Sequence, residues 1–119
     1  MRVILADDDR NVRSALRLLI EKELQLDVSG EAENGEGLLE EAAARPPDLV
    51  LLDWELPGLR SEALLPALRA CCPEAKLIGL SGQPEARQKA LRAGVDAFVS
   101  KGDPPEKVMV AVRKLMLEE

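Results

Sequence analysis

The sequence predicts a doubly wound α/β domain, in which a five-stranded parallel sheet carries helices on both faces. Short aliphatic runs alternate along the chain with stretches whose apolar residues recur at helical spacing. Turn and capping residues separate the two kinds of segment. At 119 residues the chain is long enough to form one such domain with its own core.

The strands are predicted from the aliphatic runs, because strands buried on both faces of a parallel sheet lack polar alternation. Four runs have this character, at residues 3–5, 49–52, 77–80 and 97–99. A weaker strand is expected near residues 26–28. With the helical stretches between them, the runs give five successive βα units.

The helices are predicted from apolar residues three and four positions apart. Four stripes are Val12, Leu16, Leu19 and Ile20; Leu38, Leu39 and Ala42; Leu64, Leu65 and Leu68; and Val108, Ala111, Val112 and Leu115. The fourth helix is expected over residues 85–93, ending before Gly94, with Ala86, Ala90 and Leu91 available for burial. Residues 103–106 have the pattern of a capping box with prolines in the first turn.

Composition excludes several classes of function. A formal net charge of −6 argues against non-specific attraction to nucleic acid or to an anionic membrane. The absence of histidine excludes catalytic triads, histidine metal ligands and an internal phosphohistidine. No export leader and no apolar run long enough for a membrane span are found in the sequence. The adjacent thiols of Cys71 and Cys72 suit a reducing compartment, so we expect a cytoplasmic domain.

Polar side chains stand at the ends of four predicted strands: Asp7, Asp8 and Asp9 after the first, Asp53 on the third, Ser81 on the fourth, and Ser100 with Lys101 on the fifth. Open parallel sheets bind ligands beyond the carboxyl ends of their strands, where strand order reverses. If the first and third strands are neighbours, three carboxylates face a hydroxyl and an amine across one crevice.

Each of these residues also has a simpler structural explanation. An aspartate after a strand often caps the next helix, and we expect Asp8 or Asp9 to cap the first helix. Ser81 could be a cap as well, and Lys101 a solvated loop lysine. The simple explanations account poorly for polar residues at the same edge of four strands, and Asp53 closes an apolar run in the middle of the sheet.

The chemistry of this set favours a divalent metal and phosphoryl transfer. Clustered carboxylates repel one another unless a cation joins them, and oxygen ligands without histidine or thiolate select a hard ion such as Mg²⁺. An ionised Asp53 beside Mg²⁺ and Lys101 can attack phosphorus as a nucleophile. The two cations would neutralise the equatorial oxygens, and Ser81 would donate a hydrogen bond to one of them.

Four segments together resemble the receiver domains of bacterial two-component response regulators. They are VILADDD at residues 3–9, DLVLLDWELPG at 48–58, LSG at 80–82 and AGVDAFVSK at 93–101. The resemblance spans essentially the whole chain and implies a single receiver domain over residues 1–119. It also implies a flavodoxin-like three-layer sandwich with strand order 2-1-3-4-5.

The resemblance implies a role for each site residue. Asp53 would be the phosphoacceptor. Asp8, Asp53 and the main-chain carbonyl of Glu55 would hold Mg²⁺, with Asp7 assisting through water. Ser81 and Lys101 would contact the phosphoryl group, and Ser81 and Phe98 would form the switch. A plain core role for Phe98 remains an equal alternative.

The resemblance also implies partners. The phosphodonor would be a sensor histidine kinase or a histidine phosphotransfer protein, and the domain would assist its own phosphorylation and dephosphorylation without being an enzyme. Residues 30–35 and the loop through Pro57 and Gly58 are most similar to receivers joined to a helix-turn-helix domain. We therefore expect the full-length protein to carry a C-terminal DNA-binding domain, to control transcription and to form a homodimer on phosphorylation. We expect this domain itself to bind neither nucleic acid nor membrane directly.

The sequence departs from the family pattern at four positions. Gly102 stands where the family commonly has a proline after a cis bond, and a cis bond before Gly102 would cost about 2.5–4 kcal/mol. Ser81 replaces the commoner threonine and keeps the hydroxyl. Phe98 replaces tyrosine and lacks its hydroxyl. Glu55 puts an acidic side chain beside the acceptor, where it is expected to alter water access and phosphate lifetime.

Two rival functions remain open. A phosphohydrolase of the haloacid-dehalogenase type would use an Asp-x-Asp nucleophile motif, to which Asp7, Asp8 and Asp9 correspond loosely. A pseudo-receiver would have the same fold and act as a binding module without phosphorylation. The phosphohydrolase would be distinguished by which aspartate becomes modified, and the pseudo-receiver by the absence of phosphorylation.

Overall fold

The computed structural model describes residues 1–117, the side chain of Ser61 apart. Its five strands form one parallel sheet in the order β2-β1-β3-β4-β5, as predicted. The strands are β1 (Arg2–Ala6), β2 (Asp27–Ala32), β3 (Leu49–Asp53), β4 (Lys76–Ser81) and β5 (Ala97–Ser100). The helices are α1 (Arg10–Leu18), α2 (Gly35–Ala44), α3 (Ser61–Cys71), α4 (Ala86–Ala93) and α5 (Glu106–Val112).

Two helices end in wider turns. Helix α1 continues as a π-helical turn over Leu19–Glu23, in which the Leu24 N–H donates to the Leu19 carbonyl at 3.3 Å. Helix α5 continues in the same way over Arg113–Leu117. The predicted apolar stripes of both helices run through these turns.

The core consists of two apolar layers, one on each face of the sheet. Side chains of β3 alternate between them, because successive residues of a strand point to opposite faces. Val50 and Leu52 pack in the layer beneath α2, α3 and α4, and Leu49 and Leu51 pack in the layer beneath α1 and α5. Residues 49–52 are each 0% exposed, which explains why this strand reads as a continuous apolar run.

Strand β2 is longer than predicted. It spans six residues, of which only Val28 and Ala32 are buried, because β2 lies at the edge of the sheet. Its register against β1 shifts after Val28, where Ser29 is the extra residue of a bulge. Polar and glycine residues therefore interrupt the pattern from which the strand could have been predicted.

Two predictions about helix ends and packing are wrong, and one is confirmed. Helix α5 begins at Glu106, and no side chain caps it, so residues 103–106 form no capping box. Leu91 is 41% exposed, so only Ala86 and Ala90 of α4 are buried. Helix α4 does end at Gly94, whose φ of 110° is a left-handed conformation that glycine adopts without strain.

None of the helices in the described part of the chain combines the length and apolar character needed to span a bilayer.

Candidate functional site

Strand register brings Asp7 and Asp53 together. Ala6 pairs with Leu52 across β1 and β3, so the residue after each of these, Asp7 and Asp53, lies at the same edge of the sheet. Both carboxylates are buried, with residue exposures of 1% and 2%. The condition that the first and third strands be neighbours is met.

The ammonium group of Lys101 lies between these two carboxylates. Its Nζ is 2.7 Å from Asp7 Oδ2 and 3.3 Å from Asp53 Oδ1. The Lys101 main chain is fixed as well, since its N–H donates to the Ser81 carbonyl at 2.9 Å. Lys101 is therefore held at the acidic cluster by both its side chain and its main chain.

A main-chain N–H group also holds one oxygen of each carboxylate. Asp7 Oδ1 accepts from the Asp9 N–H at 2.8 Å, and Asp53 Oδ1 accepts from the Glu55 N–H at 3.0 Å. Both donors come from the loop directly after the strand that carries the carboxylate. The two loops thus orient the carboxylates before any ligand binds.

Burial and charge act against each other on these groups. Burial raises the pKa of Asp53 and the charge of Asp7 raises it further, while the Glu55 N–H and Lys101 oppose the rise; the pKa lies above its ordinary value. For Lys101, burial favours a lower pKa, but the contacts with Asp7 and Asp53 outweigh it, and the pKa is raised. The lysine is therefore a stable cation at neutral pH.

Asp8 completes an acidic cluster. One carboxylate oxygen from each of Asp7, Asp8 and Asp53 can be chosen so that all three lie within 4.8 Å of one another. Asp8 is exposed, and Asp7 Oδ2, although buried, receives no aligned hydrogen bond from the described residues. An open cluster of carboxylate oxygens fits a hard divalent cation such as Mg²⁺.

Asp9 has a structural role. Its Oδ1 accepts hydrogen bonds from the N–H groups of Asn11 and Val12, at 2.8 and 3.4 Å. It is the N-cap of α1, which confirms one of the two expected alternatives and separates Asp9 from the cluster.

Ser81 makes a contact that sequence reasoning missed. Its side chain is fully buried, and its Oγ lies 2.9 Å from both Oε1 and Oε2 of Glu55. It also accepts a hydrogen bond from the Gln83 N–H at 3.0 Å. Ser81 and Glu55 are 26 residues apart, and no local pattern indicates that their side chains meet.

Arg13 is a second residue that was missed. Its Nη1 donates to the Asp7 carbonyl at 2.6 Å, and its Nε pairs with Glu31 on β2 at 2.9 Å. Its side chain is 13% exposed, less than is usual for a helical arginine. Arg13 therefore holds the backbone at Asp7, in the loop after β1.

Phe98 lies on β5 and pairs with Gly79 of β4. Its ring is partly buried against the layer beneath α4, and a β-carbon at Gly79 would lie only 3.4 Å from its Cδ2. The ring thus packs where glycine leaves room beside it.

The peptide bond before Gly102 is trans, as are all the others in the described residues.

Residues 3–113 match the sequence model of the family described as the response regulator receiver domain. The nitrate/nitrite response regulator protein NarL of Escherichia coli is 32% identical over 94% of this chain and 53% of its own length. The transcriptional regulatory protein YxjL of Bacillus subtilis is 30% identical over 95% of this chain and 53% of its own length.

Among solved structures, the REC domain of AraT, a response regulator from Geobacillus stearothermophilus, superposes with a TM-score of 0.84 at 30% identity. The match covers 96% of this chain and 91% of that one. The chain spans about half the length of the curated relatives it matches.

Proposed function

Because the chain belongs to the receiver domain family of two-component response regulators, we propose that Asp53 accepts a phosphoryl group in a Mg²⁺-dependent transfer from a partner phosphohistidine. The observation that carries this proposal is the position of Asp53. It is the only carboxylate of the cluster that ends a central, fully buried strand. It pairs with Lys101, and one of its oxygens lies within 4.8 Å of an oxygen of the exposed Asp8.

In the proposed step, an Asp53 oxygen forms a bond to phosphorus while the bond from phosphorus to the donor imidazole nitrogen breaks. Lys101, held as a cation between Asp7 and Asp53, neutralises charge on the phosphoryl oxygens. Asp8, Asp53 and the Glu55 carbonyl would hold Mg²⁺, with Asp7 assisting through water. When bound, the cation supplies further neutralisation of the transferring oxygens.

We propose that phosphorylation is read out at α4 and β5. The Ser81 hydroxyl would move to a phosphoryl oxygen, and the loop from Ser81 to α4 would follow. Helix α4 is suited to a second packing because it buries only Ala86 and Ala90. The Phe98 ring lies close to Ala90 in the same layer, so a shift of α4 would change its surroundings.

The partners follow from the same proposal. A sensor histidine kinase or a phosphotransfer protein would be the donor, and the domain would act as an acceptor that assists its own phosphorylation and dephosphorylation. Since the curated relatives are about twice as long and include a transcriptional regulatory protein, the output would be a DNA-binding domain that controls transcription, with homodimerisation on phosphorylation. The free thiols of Cys71 and Cys72 support a cytoplasmic location.

The experiment is intact-mass analysis after treatment with acetyl phosphate, with and without Mg²⁺. The wild-type domain should gain the mass of one phosphoryl group only when Mg²⁺ is present, and Asp53→Asn should gain none. Asp9→Asn is the matched control, because asparagine also caps helices and the substitution removes a carboxylate from the neighbouring loop. It should label like the wild type.

Two results would contradict the proposal. Labelling of Asp53→Asn that maps to Asp7 or Asp9 would favour the phosphohydrolase. A wild-type domain that remains unlabelled while Mg²⁺ is bound would favour the pseudo-receiver.

A further inference from the structure

The hydroxyl of Ser81 is fully engaged. A serine hydroxyl has one proton to donate, and here the two oxygens that receive it belong to Glu55, each at 2.9 Å. One lone pair accepts the Gln83 N–H at 3.0 Å. Since Ser81 is 0% exposed, water does not compete for this proton. The hydroxyl therefore cannot donate to a phosphoryl oxygen while it donates to Glu55.

Glu55 is well placed to hold this hydroxyl and also to release it. Its N–H is fixed by Asp53 Oδ1 at 3.0 Å, so its backbone stays beside the acceptor. Its side chain is exposed and borders an open cavity of about 270 Å³. The carboxylate can therefore turn away from Ser81 into solvent without displacing core side chains.

Side chains of both charge signs line that cavity. Arg60 and Lys89 line it, but so do Glu62 and Glu85. Among the described residues, the Glu55 carboxylate makes no ion pair, and its hydrogen-bond partner is Ser81.

We propose that the Glu55 side chain is a latch that holds the Ser81 hydroxyl in the unphosphorylated domain and must be released for the switch to proceed. The inference rests on the proposed function. It assigns Glu55 a positioning role through its side chain, separate from any role of its main-chain carbonyl. By linkage, a contact that stabilises only the unphosphorylated state lowers the affinity for a phosphoryl mimic.

The test is a titration of the domain with beryllofluoride at saturating Mg²⁺, followed by Trp54 fluorescence. Glu55→Ala should bind the mimic about tenfold more tightly, the size expected when one charge-assisted hydrogen bond no longer has to be broken. Glu55→Gln keeps an acceptor of lower strength and should show a smaller gain. Glu62→Gln is the matched control, because it removes an exposed charge from the same cavity, and it should bind like the wild type.

A double-mutant cycle with Ser81→Ala separates the latch from simple charge repulsion. Without the Ser81 hydroxyl, Glu55 has no hydrogen bond to this residue. Glu55→Ala should therefore give no gain in affinity for beryllofluoride in the Ser81→Ala background. A full gain in that background, or an equal gain from Glu62→Gln, would show that charge alone acts and would overturn the latch. Equal affinity of Glu55→Ala and wild type would overturn it as well.

The same titration distinguishes failure of the latch from failure of the proposed function. If the wild-type domain binds the mimic and the cycle shows no coupling, only the latch is wrong. If the wild-type domain binds no mimic at saturating Mg²⁺, the phosphoacceptor function is wrong, and the latch falls with it.

Discussion

At the scale of single residues, the acidic cluster carries more negative charge than the neighbouring cation neutralises. Three carboxylates face one ammonium group, and Lys101 pairs with only two of them, Asp7 and Asp53. Within residues 1–117, Asp8 has neither a hydrogen bond nor an ion pair through its carboxylate. Its charge is therefore the one that repels its neighbours without compensation, and also the one most open to a cation.

This balance predicts that Asp8→Asn stabilises the metal-free domain and weakens its response to Mg²⁺. Relief of like-charge repulsion at an exposed position should raise the free energy of unfolding by roughly 0.5 kcal/mol. Because Mg²⁺ binds the folded state, it should stabilise the wild type more than the variant. Denaturant unfolding with and without Mg²⁺ measures both effects.

Asp9→Asn serves as the control for that comparison, because it lowers the loop charge equally and retains an N-cap. Its response to Mg²⁺ should match that of the wild type. A metal-free Asp8→Asn domain no more stable than the wild type would contradict the repulsion argument.

At the scale of elements, the sequence predicted best those segments whose environment is uniform. Strand β3 is buried on every side, so its pattern is simple. Strand β2 lies at an edge, carries a bulge and exposes most of its residues, so its signal was weak. The prediction of a capping box before α5 was wrong, because main-chain groups make the hydrogen bonds of that turn. One example is the hydrogen bond from the Asp103 N–H to the Ser100 carbonyl at 3.1 Å.

The contact between α1 and β2 gives a prediction about pH. Burial alone would raise the pKa of Glu31, but hydrogen bonds from Arg13 and Arg17 outweigh it, and the pKa is lowered from 4.5. The unfolded chain therefore binds the proton more readily. The stabilisation from Glu31 should be present above its ordinary pKa and disappear as the pH falls through the lowered value.

Glu31→Gln should accordingly lower the free energy of unfolding by about 1 kcal/mol at pH 7, since two partly exposed pairs are lost. The difference from wild type should shrink in acid. Glu40→Gln is the control, an exposed glutamate on α2 that should change little at either pH. A difference that is constant from neutral to acidic pH would show that the Glu31 charge contributes nothing.

At the scale of the whole molecule, topology determined how much of the site was predictable. Alternating strands and helices imply that polar residues at strand ends share one edge, and Asp7, Asp53 and Lys101 are found in contact there. The contacts between Ser81 and Glu55, and between Arg13 and the Asp7 carbonyl, were not predictable. They depend on loop geometry and rotamers, which residue spacing does not encode.

Hydrogen exchange across residues 81–101, with and without beryllofluoride at saturating Mg²⁺, tests directly whether Asp53 is coupled to α4 and β5. Trp54 follows the acceptor in the chain and is 8% exposed, so its fluorescence should report occupancy of the site in the same samples. If Asp53 is coupled through Ser81 to α4 and β5, both the fluorescence and the exchange of this segment should change. A change in Trp54 fluorescence with unaltered exchange across residues 81–101 would contradict that coupling.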